Sequence, residues 1–255
     1  MYGFKRKFRI EEINMNTKMT IVITMAGEGS RFRKAGYNIP KYEIMARGKT
    51  LFEWSLDSLI DYNKYVDKYI FVVRKEDKAI EFIKRVCEKR KIDNIDIIEI
   101  DYLTDGQATT CMLALSKSDS DSQLLVYNID TYVEYGEMKY TDIKGDGHIP
   151  CFHAEGDHWS FVKVDEDGKA VEVREKKRIS DNCTLGAYYF SSIQLYKELY
   201  RGYYSSDNNI ESGEKYIAPL YNYMIQKGML VTISIVNKDK VHVLGTPEEL
   251  DFFLK

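Results

Sequence analysis

The stretch from Thr20 to Thr50, TIVITMAGEGSRFRKAGYNIPKYEIMARGKT, constrains this chain more than any other. Its first six residues are apolar or β-branched, which suits a buried strand. They run straight into a loop carrying Gly27, Gly29, Arg31, Gly36, Pro40 and Lys41. Glycine permits backbone angles closed to other residues and lets main-chain N–H groups approach an anion, while arginine and lysine add charge-assisted hydrogen bonds. A strand that opens into such a loop predicts a phosphate site.

Spacing narrows the kind of loop. Gly-Glu-Gly-Ser-Arg-Phe puts Phe32 where the dinucleotide fingerprint needs its third glycine. Gly48-Lys49-Thr50 ends like a Walker A loop, but Glu43 stands where that motif needs its first glycine. What remains is G-x-G-x-R followed about ten residues on by Pro40-Lys41. This resembles the signature loop of the nucleotidylyltransferases that make nucleotide-sugars. The resemblance implies that Arg31 holds the triphosphate, that Lys41 holds the phosphates that react, and that Met25, Ala26, Gly27, Gly29 and Ser30 form the nucleotide-binding turn. On the two glycines alone, an ordinary strand–helix turn with solvated basic side chains fits as well.

With 255 residues, 44% hydrophobic and 30% charged, the chain can bury a full core. One domain over 19–255 is expected, with a nucleotide-binding half at 19–135 and an acceptor-binding half at 136–255. Residues 1–18 read as a flexible basic leader. The net charge of −3 supplies no field for a nucleic-acid backbone, so positive charge for small anions must be concentrated locally. Cys87, Cys111, Cys151 and Cys183 are scattered without metal-ligand spacing, and are expected to be reduced and packed. No apolar run approaches ~18 residues and the start lacks a signal-peptide core, so a cytoplasmic protein with no membrane partner is expected.

Along the chain, the periodicity predicts a helix over 51–60, a strand over 68–73, a helix over 76–89 and a strand over 95–100. Such alternation implies a parallel sheet. Thr104 and Gln107 have capping-box spacing, and Gly106 would let a helix N-terminus approach a ligand. The resemblance implies more, namely that Gly106, Gln107 and Ala108 form the turn that reads the base; the residues alone allow a capped helix start. The strand at 123–128 ends just before Asp130, on the ligand edge of an open α/β sheet. There the resemblance places a metal-binding aspartate, and a hard carboxylate suits Mg²⁺ bridging phosphates. Asp119 and Asp121 precede that strand and read as a solvated loop on the opposite edge.

Beyond residue 130 the alternation stops. Short extended segments at 150–154, 160–164 and 170–173, with a turn at Asp165-Glu166-Asp167-Gly168, predict a mixed sheet. His153 and His158 lie in a polar stretch and read as surface residues. Arg174-Glu175-Lys176-Lys177 is, taken bare, a solvated charge run. The resemblance implies instead that Glu175 contacts acceptor hydroxyls, Lys176 the acceptor phosphate, and that Gly186 floors the acceptor pocket. Near the end, 216–221 leads a helix, 230–236 and 241–244 read as strands, and Gly245-Thr246-Pro247-Glu248 matches a family hallmark. Thr246 is the expected N-cap, with Glu249 closing a capping box. One departure stands out: where many members place a second metal-binding aspartate, this chain has Val243, so Asp130 is expected to be the main protein ligand, with substrate phosphates supplying most of the remaining non-water coordination. Tight binding of Mg²⁺ to the free protein would instead mean that another carboxylate, such as Glu211 or Asp105, completes the site.

The fold implied is α/β, a Rossmann-like mixed sheet of the nucleotide-diphospho-sugar transferase type. The activity implied joins the NMP part of a nucleoside triphosphate to a small phosphomonoester, first of all a sugar 1-phosphate, with release of pyrophosphate, in the service of surface-glycan (capsule or lipopolysaccharide) precursors. CTP is the donor the resemblance brings forward, although no residue chooses a base. The alternatives are a cytidylyltransferase acting on phosphocholine or a phospho-amino acid, a GT-A-like glycosyltransferase, and an inactive nucleotide sensor. Homo-oligomerisation stays open.

Overall fold

The computed structural model describes residues 18–116, 118, 121–210 and 213–255. The leader up to residue 17, Asp119 and Glu211 lie outside the described residues. The N-terminal half contains β1 (Met19–Thr24), α1 (Ser30–Lys34), α2 (Leu51–Asp57), β2 (Val66–Arg74), α3 (Ile80–Lys89), β3 (Ile95–Ile100), α4 (Gln107–Ala114), β4 (Gln123–Asn128) and β5 (Thr131–Val133). The remainder contains β6 (Gly147–His153), β7 (Ser160–Val164), β8 (Ala170–Glu175), β9 (Asn182–Thr184), β10 (Ala187–Phe190), α5 (Ile193–Tyr203), α6 (Leu220–Gln226), β11 (Val231–Ile235), β12 (Val241–Val243) and α7 (Pro247–Leu254).

The predicted buried strand is the middle of the parallel half. β1 pairs in parallel with β2 on one side and β4 on the other, and β3 lies parallel outside β2. Alternate side chains leave opposite faces of a strand. Accordingly Met19, Ile21 and Ile23 join Phe71 and Tyr127 in one layer, where α2 and α3 contribute Phe52, Leu56, Phe82 and Ile83. Val22, with Ile70, Val72, Leu124 and Val126, faces a second layer closed by Cys111 of α4, Tyr196 and Leu199 of α5, and Leu220 and Met224 of α6. Apolar residues on both faces are what a strand covered by helices on both sides requires.

At β4 the sheet changes character. β10 pairs antiparallel with β4, Ala187 lying opposite Tyr127. The order then continues through β6, β9, β7 and β8, with β11 parallel to β6. A separate ribbon joins β5 to β12, with Val243 opposite Thr131. The expected fold class is therefore the observed one, a parallel N-terminal half continued by a mainly antiparallel sheet.

Three details differ from the periodicity. α3 starts at Ile80, because residues 75–77 form a tight 3-10 turn and Lys78 adopts a left-handed φ of 52°. Thr104 does not cap α4: Gly106 precedes the helix, and the Thr104 hydroxyl donates to the Gly106 carbonyl at 3.1 Å. α5 is not among the predicted elements, since tyrosines at 196, 200 and 203 blur the apolar stripe that Ile193, Tyr196 and Leu199 bury. α2 begins as the sequence rules lead one to expect, with a capping box in which Thr50 Oγ1 accepts from Glu53 N and Glu53 Oε2 accepts from Thr50 N at 2.9 Å.

The four cysteines are free and buried, and among the described residues no helix is long and apolar enough to cross a membrane. Phe71 is wholly buried and meets Phe52 edge-on, their centroids 5.4 Å apart. Phe71→Ala is expected to cost about 3–5 kcal/mol of stability; a chemical-denaturation midpoint shifted by less than a third of that would show the layer to be loosely packed.

Candidate active site

The carboxyl ends of β1 and β4 lie side by side, Thr24 opposite Asn128. Glu175 at the end of β8 and the β9–β10 junction at Gly186 face the same space, a cleft of about 730 Å³. Gly27, Gly29, Ser30, Arg31, Lys41, Gly106, Gln107, Asp130, Glu175 and Gly186 all line it, as do Met25 and Ala26. Lys176 and Ala108 are the two predicted residues it does not gather.

The glycine loop after β1 is held at both ends. Met25 N donates to Val72 O at 3.0 Å, which extends the sheet past β1. Gly29 adopts φ 61° and ψ 29°, a left-handed turn that starts α1. Phe32, in the place of the missing third glycine, is buried with Leu51, Leu244, Leu250 and Phe253. It anchors the loop to α7, a fixed point that the rejected dinucleotide motif could not have used. A Cβ at Gly27 would meet nothing within 4 Å, so its bareness keeps the cleft open instead of relieving a clash.

Lys41 follows Pro40 in a 3-10 turn and crosses to the far side of the loop. Its Nζ donates to Asp130 Oδ2 at 2.6 Å, with side-chain exposures of 19% for Lys41 and 27% for Asp130. Burial pushes the Asp130 carboxyl up. The Lys41 ammonium, and after it the Arg31 charge, outweigh burial and hold the group below the usual carboxylate range. Asp130 is thus an ionised oxygen donor at neutral pH, paired with Lys41 and within the field of Arg31.

At the start of α4, Gln107 Nε2 donates to Thr24 Oγ1 at 3.0 Å and to Asn128 Oδ1. This ties α4 to the ends of β1 and β4. Asn128 N in turn donates to Gly186 O at 3.0 Å, and a Cβ at Gly186, whose φ is 78°, would overlap the Asn128 amide. Gly106 has a different reason for being glycine from the one the sequence suggests. At φ 138° its missing Cβ would overlap the Lys215 carbonyl, so the close approach is to the protein's own backbone. The same Lys215 carbonyl accepts from Ala108 N at 3.0 Å. Ala108 is wholly buried one layer beneath the cleft, its N–H already committed.

At the end of β8, Glu175 Oε2 accepts from Ser160 Oγ. Burial and then the nearby Glu175 charge push the Tyr188 hydroxyl up to about 12. Lys176 Nζ lies 4.8 Å above the Tyr216 ring and donates to its hydroxyl at 2.7 Å. Lys176 therefore meets the cleft through Tyr216, which lines it. His153 is exposed and bonded to Asn182 Oδ1 at 3.2 Å, as a surface histidine should be. His158 is exposed as well but lines the cleft, its ring tilted at 39° against that of Trp159 with the centroids 4.3 Å apart.

Among the described residues no group of three or more ligating side chains surrounds one point. Asp105 is held by Lys215 at 2.7 Å and by the Thr109 hydroxyl. The carboxylate that does stand near Asp130 is Glu249. A Cβ at Gly245 would lie 3.3 Å from Asp130 Oδ2 and 3.4 Å from Glu249 Oε2. Glu249 does not close the expected capping box, because its Oε2 accepts from Gly245 N at 2.9 Å, one residue before the N-cap. The other half is intact, Thr246 Oγ1 accepting from Glu249 N at 3.2 Å. Asn128 and Tyr216 carry no sequence motif, although Asn128, at a strand end beside Asp130, sits where strand register could have pointed; Glu249 carries only the capping-box signal, which does not point to the cleft.

The Lys41–Asp130 pair contributes stability that is present above the unfolded carboxylate pKa and is lost as pH falls through the depressed folded value. Lys41→Met should therefore raise the Asp130 pKa, read by carbon-detected NMR titration of its carboxyl. An unchanged midpoint would mean that Lys41 does not set the charge of the site.

Comparison with solved structures gives the relatives of this arrangement. A nucleoside-diphosphate-sugar pyrophosphorylase from Vibrio cholerae RC9 is similar at 37% identity over 92% of this chain and 99% of its own, with a TM-score of 0.84. The inositol-1-phosphate CTP transferase of T. maritima shares the fold at 14% identity, covering 93% and 94% of the two chains with a TM-score of 0.73. No protein-family model matches the chain, and no curated protein is significantly similar to it.

Proposed function

The chain belongs to the sugar-phosphate nucleotidylyltransferases, and on that premise we propose that it transfers the NMP part of a nucleoside triphosphate to a sugar 1-phosphate with release of pyrophosphate. The observation that carries this reading is the single cleft in which Arg31 and the Lys41–Asp130 pair face Glu175 and Gly186. A phosphate-binding loop and a hydroxyl-accepting carboxylate at opposite ends of one cleft suit a triphosphate and a phosphorylated sugar lying end to end.

The reaction needs a phosphate oxygen of the acceptor to attack the α-phosphorus in line, while the bond to the β-phosphate oxygen breaks. The nucleophile is already an anion, so no side chain has to remove a proton. Catalysis then rests on positioning and on charge neutralisation. Main-chain N–H groups of the Gly27–Arg31 turn and the Arg31 guanidinium would hold the triphosphate. Lys41 has an anionic partner in Asp130 before substrate arrives, and phosphate oxygens offer it a second. Gln107, fixed on Thr24 and Asn128, stands at the base end. Glu175 is placed to accept hydroxyl hydrogen bonds from the sugar, and Lys176 reaches the rim through Tyr216.

Mg²⁺ belongs to the proposal. Asp130 fits it as a hard, ionised donor, and Mg²⁺ is commonly held by one or two carboxylates plus substrate phosphates. Once bound, it would neutralise phosphate charge and polarise the phosphorus under attack.

A panel of nucleoside triphosphates, CTP first, crossed with hexose 1-phosphates, phosphocholine and phosphoserine and read by pyrophosphate release should give turnover with a sugar 1-phosphate. Turnover only with phosphocholine or phosphoserine would replace the sugar by a non-sugar acceptor, and tight nucleotide binding with no turnover would make the protein a sensor. Arg31→Ala and Lys41→Ala should each lower kcat/KM by about two to four powers of ten. Near-normal kinetics in both variants would reduce the loop to a turn.

A further inference from the structure

The geometry points to Glu249 as the second protein carboxylate of the cation site at Asp130, taking the part that Val243 cannot. This rests on the proposed cation-dependent transfer and deepens it.

Two separate sets of bonds bring Glu249 there. Leu244 N donates to Asp130 O at 2.8 Å, which fastens the end of β12 against Asp130. One residue on, Gly245 N donates to Glu249 Oε2 at 2.9 Å, which turns the Glu249 carboxylate back towards the cleft and away from the Thr246 N–H that a capping box would use. Between the two carboxylates is the space beside Gly245 that a Cβ would fill, within 3.4 Å of an oxygen of each. Asp130, Gly245, Glu249 and Val243 all line the cleft, and of the side chains only the two carboxylates carry oxygen.

Two carboxylates facing one small space repel unless positive charge joins them. The Lys41 ammonium on Asp130 Oδ2 supplies one charge. A divalent cation supplies two and accepts the hard oxygen donors that both side chains offer. Capping alone does not account for the placement of Glu249, because the cap of α7 is already made by Thr246.

The test is Mn²⁺ binding to the full chain, read by water-proton relaxation enhancement with and without CTP, for wild type, Glu249→Gln and Glu249→Gln combined with Val243→Asp. Wild type should bind Mn²⁺ weakly alone and more tightly with CTP. Glu249→Gln should weaken the CTP-supported binding at least about tenfold, since cation affinity follows ligand charge, and Val243→Asp should recover most of that loss. Melting temperature is followed in parallel, because a purely structural Glu249 would lower it and leave Mn²⁺ binding unchanged. That pattern overturns the inference while the cation reading stands. Absence of Mn²⁺ enhancement in wild type under both conditions overturns the cation reading itself, and Glu249 with it.

Discussion

The ion pair between Lys41 and Asp130 is the contact on which the rest of the site depends. It joins the end of the glycine loop to the residue just beyond β4, where the parallel half of the sheet meets the antiparallel half. The Asp130 charge would not be stable there alone, since a partly buried carboxylate without a partner drifts towards its neutral form. Together the two side chains keep a carboxylate ionised and an ammonium oriented at the carboxyl edge of the sheet, where open α/β sheets bind ligands.

Around that pair the cleft is assembled from backbone as much as from side chains. Gly186 lets Asn128 approach, Asn128 and Thr24 fix Gln107, and Gly106 lets the segment at Lys215 pack under α4. Three strand ends and one helix start are thereby locked to one another before any ligand binds. A site preorganised in this way need not rearrange to meet charge that develops on phosphate oxygens. The part of the cleft around Glu175 is built differently, with Glu175 at the end of β8, Trp159 just before β7 and Tyr216 in the segment between α5 and α6.

Much of this was legible in the residues. The run TIVITM announces a buried strand because both faces are apolar, and both faces are indeed covered by helices. Arg31, Lys41 and Asp130 stand out as charge in places where a loop or a strand end must use it. What stayed hidden depends on contacts between distant segments. Gly106 looks ligand-facing in sequence, but its neighbour is the backbone at Lys215, more than a hundred positions away. Ala108 spends its N–H on that same carbonyl. Glu249 reads as half of a capping box, and only the β5–β12 ribbon, which sets Leu244 beside Asp130, turns it towards the cleft. α5 was hidden for a local reason, because tyrosine has both an apolar body and a polar tip and so blurs the stripe.

The central claim is that an oxygen of the acceptor phosphate attacks the α-phosphorus of the triphosphate. It is tested most directly by running the reaction with a sugar 1-phosphate whose non-bridging phosphate oxygens carry oxygen-18 and following isotope shifts by phosphorus NMR. The account predicts label in the oxygen that bridges the two phosphorus atoms of the nucleotide-sugar, and unlabelled pyrophosphate. Label in the released phosphate, or a product formed without a labelled bridge, would contradict it.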